Sequence, residues 1–472
     1  MDKKKIVDLI EKNNIRFINV RFIDLPGVQQ HLNIPSKMFL DSVIADGLAF
    51  DGSSIKGFQT INESDLKLVP DFDTAYIDPF KKEPTLAMSF SVVDPITNNA
   101  YEKDPRQVAF KTEEYIRSTG IADQIFFAPE AEFYIFDDVR FNTSINEGYY
   151  SIDSTEGAWN TGTNYADGNS GHRPKIKGGY FPVPPVDQTA EIRDEIVANL
   201  QNAGFEVERS HHEVGTAGQQ EVNYKFSTLT RAADDLMTFK YIVKNTCFEN
   251  GQTATFLPKP LFDDNGSGMH CHQSLWKKGK PLFFESGKYG DLSDIARWYI
   301  GGIIKHAPSI LAFTNPTTNS YRRLVPGFEA PTYLVYSARN RSAAIRIPIT
   351  GSSPAAKRIE FRIPDPSSNP YLAFSAQALA GIDGVINKIE PPKPVDGNLY
   401  AMSEKALSKI KTVPDSLEKS LDALKKDYKF LLAGGCFTED LIQTWIDYKQ
   451  HNEIDYLKVR PTPGEFELYF DI

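Results

Sequence analysis

The chain has 472 residues, 41% of them hydrophobic and 24% charged, with a formal net charge of −10 and a pI near 5.4. This is the make-up of an ordinary folded protein, long enough for a large core and for roughly two to four domains. The acidic balance excludes the basic footprint of a nucleic-acid or anionic-membrane binder, and no apolar run approaches the roughly 18–20 residues of a membrane helix.

No positively charged, apolar leader opens the sequence. Ile6, Leu9 and Ile10 instead predict a short amphipathic helix behind Met1. Residues 16–24 alternate, with Phe17, Val20 and Phe22 among polar neighbours. Leu25-Pro26-Gly27 then turns the chain into a second strand over 28–34. A further apolar stretch at 86–93 precedes a loop over 94–104, which predicts a small strand-rich domain at 1–103 and a larger one at 104–472. Residues 142–185 are rich in Gly, Asn and Pro and read as functional loops over a scaffold. Asp415 and Glu418 form a capping-box pattern for a helix with Leu417, Leu421, Leu424, Tyr428 and Leu431 on one face. Cys247, Cys271 and Cys436 form no C-x-x-C pair. That argues against a disulfide framework or a cysteine zinc site, and for the reducing cytoplasm.

Several segments alternate charged and apolar residues with period two. In 127–137, Glu130 and Glu132 share one face while Ala131, Phe133 and Ile135 share the other. In 357–365, Arg358, Glu360 and Arg362 oppose Ile359, Phe361 and Ile363. Glu221, Asn223 and Lys225 alternate with Val222, Tyr224 and Phe226. His270, His272 and Ser274 alternate with Met269, Cys271 and Gln273, and Arg346 lies between Ile345 and Ile347. Alternation alone describes a sheet with one solvated face. These faces, however, carry carboxylates, imidazoles and arginines together, which predicts a concave sheet or barrel whose polar side surrounds ligands. Glu130, Glu132, Glu213, Glu221, Glu360 and His270 make an oxygen-rich set for two divalent cations, Mg²⁺ or Mn²⁺. Arg323, Arg341, Arg346, Arg358 and Arg362 can neutralise phosphate or carboxylate. No phosphate-binding G-x-x-x-x-G-K-[ST] loop, G-x-G-x-x-G or H-E-x-x-H occurs. The inventory therefore points to metal-dependent phosphoryl transfer on an unfamiliar nucleotide fold.

Specific motifs go further. Asp51-Gly-Ser-Ser-Ile-Lys-Gly, Pro129-Glu-Ala-Glu-Phe, Gly178-Gly-Tyr-Phe-Pro, His211-His-Glu-Val-Gly-Thr-Ala-Gly-Gln, Lys259-Pro and Asn265-Gly-Ser-Gly-Met-His-Cys-His occur in order. They are followed by Asn315-Pro-Thr-Thr-Asn-Ser-Tyr, Pro326-Gly-Phe-Glu-Ala-Pro, Ser337-Ala-Arg-Asn-Arg-Ser and Arg358-Ile-Glu-Phe-Arg-Ile-Pro-Asp. Together the series closely resembles type I glutamine synthetases over nearly the full chain. The resemblance implies an α+β protein: a small β-grasp-like N-terminal domain and a larger α/β catalytic domain with a curved antiparallel sheet. It implies an ATP-dependent ligase of nitrogen assimilation that makes glutamine through γ-glutamyl phosphate, and a dodecamer of two stacked hexamers with active sites shared between neighbours. One metal would be held by Glu132, Glu213 and Glu221, the other by Glu130, His270 and Glu360. Glutamate would be gripped by Arg323, Glu329 and Arg362 with Asn265, Gly266 and His270. ATP and its transferring phosphate would lie near Glu208, Phe226, His272, Ser274, Arg341, Arg346 and Arg358. Asp51 of an adjacent subunit, with Ser54, Tyr180, Glu213 and Glu329, would form the ammonium pocket, and Asp51, Glu329 and Arg341 would be catalytic. Closure of the segment 326–330 would exclude water.

Within the family, the segment 151–177 and Asn398-Leu399-Tyr400 resemble the bacterial subgroup controlled by adenylylation, which implies Tyr400 as the modified residue and an adenylyltransferase as a partner. The following Ala401-Met402-Ser403-Glu404 departs from that subgroup's acidic, proline-containing continuation. Ala355 stands where many relatives carry lysine, with Lys357 close by. The terminus 465–472 resembles a tail that clasps the opposite ring. His212 and Cys271 read more simply as packing residues. A sibling ligase acting on a polyamine is the nearest rival, and the presence of Asp51, Ser54 and Tyr180 favours ammonia over it. A catalytically dead assembly would need lost metal ligands, and all six are in place.

Overall fold

A computed structural model describes the chain from Met1 to Ile472 apart from Thr60, Asn62, Glu63, residues 326–329, Thr350, Ser352 and the side chain of Tyr400. Glu329 and most of the expected closing segment therefore lie outside the described residues.

The opening helix is Lys3–Lys12. Asp2 caps it by accepting from Lys5 N at 2.8 Å, and Ile6 and Ile10 are buried. The strands β1 (Phe17–Ile23), β2 (Gln29–Pro35), β3 (Leu48–Asp51), β4 (Asp65–Pro70), β5 (Tyr76–Ile77) and β6 (Thr85–Val93) form one sheet in the order β2-β1-β6-β4-β3, with β5 on β6. Only the β1–β6 pair is parallel among them. Ile18, Val20, Leu66, Leu68, Met88 and Phe90 form its core with the helix. The polar members of β1 are not solvated, contrary to simple alternation: Asn19 and Arg21 are buried. Arg21 ion-pairs with Asp78 at 2.7 Å, and its guanidinium lies 3.7 Å from the Tyr241 ring on a helix of the larger unit. Gly27 (φ +104°) fits the turn closely, because a Cβ there would meet Asn369 at 2.9 Å. Asp104 caps the next helix, Pro105–Ser118, through Arg106 N and also accepts from Val92 N at 2.8 Å.

The larger unit is built on two sheets. The strands β7 (Gln124–Ala131) and β8 (Phe133–Phe136) interrupt the expected single strand at Glu132, whose N–H leaves the ladder to donate to Gly268 O at 3.0 Å. Next come β9 (Asp138–Thr143) and β10 (Gly148–Asp153), an antiparallel hairpin whose turn and second strand fall in the region 142–185 expected to be loop. Phe141, Tyr149 and Tyr150 on it are exposed, so no period of burial announced it. Then follow β11 (Val207–His212), β12 (Gln219–Tyr224), β13 (Ser227–Thr228), β14 (Thr253–Thr255), β15 (Met269–Lys277), β16 (Lys280–Pro281), β17 (Tyr336–Ala338), β18 (Ile345–Ile347) and β19 (Ile359–Phe361). One sheet runs β11-β12-β8-β14. The other runs β13-β7-β15-β19-β18-β17, with β16 on β15, and is antiparallel except where β17 meets β18. Its apolar face packs on the helix Pro370–Ile386, with Phe127 stacked on Phe374 at 4.7 Å. That helix in turn packs tightly on Asp294–Thr314: a Cβ on Gly302 would sit 2.0 Å from Ala380 O.

Two local expectations are corrected. Ser416, not Asp415, caps the helix Leu417–Lys426 through Lys419 N, while Asp415 bonds the Lys419 ammonium; Tyr428 and Leu431 fall beyond the helix end. The C-terminal tail is a short helix, Pro463–Tyr469, with a capping box between Thr462 and Glu465 and with Phe466, Leu468, Tyr469 and Phe470 exposed. The three cysteines are free and buried, and burial pushes the Cys271 thiol up to about 12. Among the described residues no helix is long and apolar enough to cross a membrane.

Candidate active site

Strand register assembles the polar face. His270 stands opposite Glu130 on β7, and His272 stands opposite Glu360 on β19. Arg346 of β18 is also opposite Glu360, and His211 of β11 is opposite Glu221 of β12. Cross-strand neighbours lie within side-chain reach, so four short pairings bring together residues up to about 230 positions apart in sequence.

At one end, ligand atoms of Glu130, His272 and Glu360 lie within 4.8 Å of one another. His270 Nδ1 is 3.5 Å from Glu130 and 3.7 Å from Glu360, and His272 Nε2 is 3.1 Å from Glu130. Arg346 and Arg362 grip Glu360 at 2.5 and 2.6 Å. Burial works against ionisation of Glu360, but His272, Arg362, His270 and Arg346 together hold it down to about 2. Burial is likewise overcome at Glu130, which His272 and His270 hold well below the usual carboxylate range. Burial and Arg362 push His270 down to about 4, so it is a neutral donor atom at pH 7.

At the other end, His211, Glu213 and Glu221 bring ligand atoms within 4.8 Å of one another. Glu132 is buried beside them. Its Oε2 accepts from Gly268 N at 2.7 Å and from Gln219 Nε2 at 3.3 Å. Burial, then the charge of Glu213, raise Glu132 to about 8; burial with Glu130, Glu132 and Glu213 raises Glu221 well above its normal value. Acids that repel one another this strongly in a buried site are what a divalent cation stabilises, and carboxylates with an imidazole suit Mg²⁺ or Mn²⁺. The residues fit two such ions. Each expected set gains a histidine neighbour the sequence reading left out of it: His211 beside Glu213 and Glu221, and His272 beside Glu130 and Glu360.

A cavity of about 480 Å³ adjoins the first cluster and shares Glu130 and His272 with it. Glu208, Phe226, Ser274 and Arg358 of the expected nucleotide set line it, and Arg358 Nε donates to His272 Nδ1 at 3.2 Å. Phe226, expected on an apolar face, is half-exposed and meets Phe126 edge-on at 5.2 Å, and Trp276 meets Phe126 at 5.8 Å. Phe126, Trp276, Arg209 and Asn223 also line this cavity and were not singled out for it. Extending the 270, 272, 274 alternation by one step would have found Trp276. Ala355 lines the cavity as well. Lys357 does too, but its ammonium donates to Gly290 O at 2.8 Å.

Arg323 and Arg362 are buried side by side. Arg323 Nη1 donates to Ile363 O at 2.7 Å, and its stem packs on Gly266, where a Cβ would lie 3.0 Å from Arg323 Cγ. Among the described residues Arg362 Nε is buried with no hydrogen-bond partner, a free donor facing an acid-rich site. Asn265 is buried next to Gly266, its carbonyl accepting from Tyr134 at 2.6 Å. Tyr180 is half-exposed, stacked on Phe181 and edge-on to His211 at 5.7 Å. Arg341 is exposed in the turn between β17 and β18. Asp51 and Ser54 are exposed on the N-terminal unit. Asp51 accepts from Ser53 Oγ at 2.6 Å and Ser54 Oγ at 3.0 Å, and Ser53 followed by Ser54 holds it below its ordinary value. Among the described residues no hydrogen bond joins Asp51 or Ser54 to Tyr180. Tyr400 lies in a short turn, Leu399–Ala401.

A two-domain enzyme with a cation-suited acid cluster opening onto a nucleotide-sized cavity is the class that this fold and site define. Family models described as the glutamine synthetase β-grasp domain and the glutamine synthetase catalytic domain match residues 14–95 and 102–469. Curated glutamine synthetases of Streptomyces filamentosus and Mycolicibacterium smegmatis are 61% identical over 463 residues and 59% over 470. They cover 98% and 99% of this chain, and 98% of each relative is covered. The cryo-EM structure of Plasmodium falciparum glutamine synthetase superposes with a TM-score of 0.90 at 31% identity, covering 99% of both chains. A structure of GmaS with ADP gives 0.81 at 26% identity, over 98% of this chain and 99% of that one. The chain belongs to the glutamine synthetase family.

Proposed function

We propose that the cluster and the cavity divide one reaction, the ATP-dependent formation of glutamine from glutamate and ammonia, into two steps. The observation that carries this reading is that Glu130 and His272 belong both to the cluster and to the wall of the cavity, so a nucleotide's terminal phosphate would end beside the cluster's side chains. The ADP in the GmaS structure supports a nucleotide in this fold.

Glu132, Glu213 and Glu221 would hold one divalent cation and Glu130, His270 and Glu360 the other; as Mg²⁺ or Mn²⁺ these would supply neutralisation of phosphate charge. Arg323 and Arg362, with Asn265, Gly266, His270 and Glu329, orient glutamate. Phe226, with Glu208, His272, Ser274, Arg341, Arg346 and Arg358, positions ATP. A γ-carboxylate oxygen attacks the terminal phosphorus, ADP leaves, and γ-glutamyl phosphate forms. Ammonium binds among Asp51 of a neighbouring copy, Ser54, Tyr180, Glu213 and Glu329. It gives a proton to a carboxylate, and the resulting ammonia attacks the carbonyl carbon, expelling phosphate. The sharing of sites fits a dodecamer of two stacked hexamers. The domain division at 103/104, adenylylation of Tyr400 by a partner adenylyltransferase, and a cytoplasmic address, suited to three buried free thiols, complete the proposal.

The test is phosphate release from ATP with glutamate and Mg²⁺, comparing ammonium, a polyamine and no amine, with glutamine quantified. Glutamine in step with phosphate only with ammonium is expected; turnover with the polyamine alone would overturn the acceptor assignment.

A further inference from the structure

His212 and Glu156 lie outside every set above, yet they form the most enclosed ion pair beside the site. Their side chains are 0% and 1% exposed, and His212 Nε2 is 3.0 Å from Glu156 Oε2. On the other side of the ring, His212 Nδ1 faces two carbonyl oxygens, Gly179 O and Glu213 O, each at 2.7 Å. Carbonyl oxygens only accept, so Nδ1 carries its hydrogen and donates to both. Glu156 is fixed in turn by Gln188 N, which donates to its Oε1 at 2.6 Å.

The two carbonyls belong to the residues that matter for the ammonia half of the proposed reaction. Gly179 immediately precedes Tyr180, and Glu213 joins His211 and Glu221 in the second cluster. Gly179 has no room for a side chain: a Cβ would meet Glu213 O at 2.4 Å and His212 Cε1 at 2.7 Å. The imidazole thus bridges the Gly179 and Glu213 carbonyls where the Gly179 backbone itself comes close to Glu213 O. Gly179 N donating to Val214 O at 3.1 Å and Phe181 N donating to His212 O at 3.4 Å complete the strap. The Phe181 ring then packs 4.7 Å from His211, at a left-handed φ of +61° that a side chain adopts only when its surroundings dictate it.

We propose that His212, oriented by Glu156, is a positioning residue that sets the separation between Tyr180 and Glu213 and thereby the affinity for ammonium; this rests on the proposed function of that pocket. Glu156 comes from the long loop after β10, so the pair also fastens that loop to the catalytic sheet. A merely structural pair would lower stability and disturb all substrates alike. A positioning pair changes one substrate's constant, because the nucleotide cavity draws on β11 only at Glu208 and Arg209, three or more residues from His212, and otherwise on other segments.

The test compares the full-length parent with Glu156→Gln, which keeps shape but removes the charge, and with His212→Asn, which keeps one donor. In both, KM for ammonium is expected to rise about ten- to hundred-fold, with KM for ATP changing less than about two-fold and with unchanged oligomer size. Glu156→Asp, which restores the charge, is expected to recover part of the loss. The inference is overturned if a folded Glu156→Gln protein keeps the parental KM for ammonium, or if KM for ammonium, glutamate and ATP rise together. Absence of ammonium-dependent glutamine in the parent would instead overturn the proposed function itself.

Discussion

Binding of a divalent cation should release protons from this protein at neutral pH. Burial and the neighbouring Glu213 charge raise Glu132 to about 8, against an ordinary 4.5. A group with that pKa is about 0.9 protonated at pH 7, and a carboxyl must lose its proton to become a ligand. Glu221, raised by burial and by Glu130, Glu132 and Glu213, contributes as well. Saturation of metal-free protein with Mg²⁺ at pH 7 is expected to release about one to two protons per subunit, and about 0.9 fewer in Glu132→Gln. At pH 9 the Glu132 contribution falls to about 0.1 proton. Calorimetric titration in buffers of different ionisation enthalpy counts these protons directly. The same shift has a stability consequence with a definite sign. Because the folded pKa lies above the unfolded one, the stabilisation is complete below about 4.5 and is lost as pH rises to about 8, at up to about 1.4 kcal/mol per pH unit. Denaturant unfolding of metal-free parent against Glu132→Gln isolates that slope. A metal titration at pH 7 with no buffer dependence would refute the reasoning.

Three further outcomes follow from the geometry. Glu360→Ala leaves Arg346 and Arg362 without the carboxylate they grip; it is expected to cost about 3–5 kcal/mol by denaturant unfolding, and a loss below about 1 kcal/mol would contradict this. Phe226→Ala removes a half-exposed ring from the cavity wall; it is expected to raise KM for ATP about three- to ten-fold while leaving KM for glutamate within about two-fold, measured by steady-state kinetics. Lys357→Met is expected to lower stability by about 1 kcal/mol through loss of the bond to Gly290 O while leaving KM for ATP within about two-fold. A ten-fold rise would show that this ammonium reaches the nucleotide in place of the lysine missing at Ala355.

Period-two alternation carried most of the cluster, because Glu130, His270, His272, Glu360 and Arg346 lie on strands whose other face is core, and register then set them opposite one another. It misjudged Phe226, which stands just past the end of β12 where the alternation no longer binds. It also overran Glu132, where a bond to Gly268 breaks the strand. The buried polar residue Arg21 was illegible as such, since its partners Asp78 and Tyr241 come from distant segments, and Asn19 is met by His31 and Asn33 only once β2 pairs with β1. The role of Glu156 had no local signal at all: its partner is 56 residues away, and a lone glutamate in a Gly- and Asn-rich stretch reads as solvated. Helix ends erred by one residue at Ser416 because Asp and Ser cap equally well.

The central claim is that the glutamate γ-carboxylate itself attacks ATP before ammonia enters. Turnover with glutamate labelled with ¹⁸O in the γ-carboxylate, followed by mass analysis of the released phosphate, tests it most directly. One labelled oxygen in phosphate for each glutamine formed is the predicted result. Phosphate free of label, with glutamine still accumulating, would contradict the account.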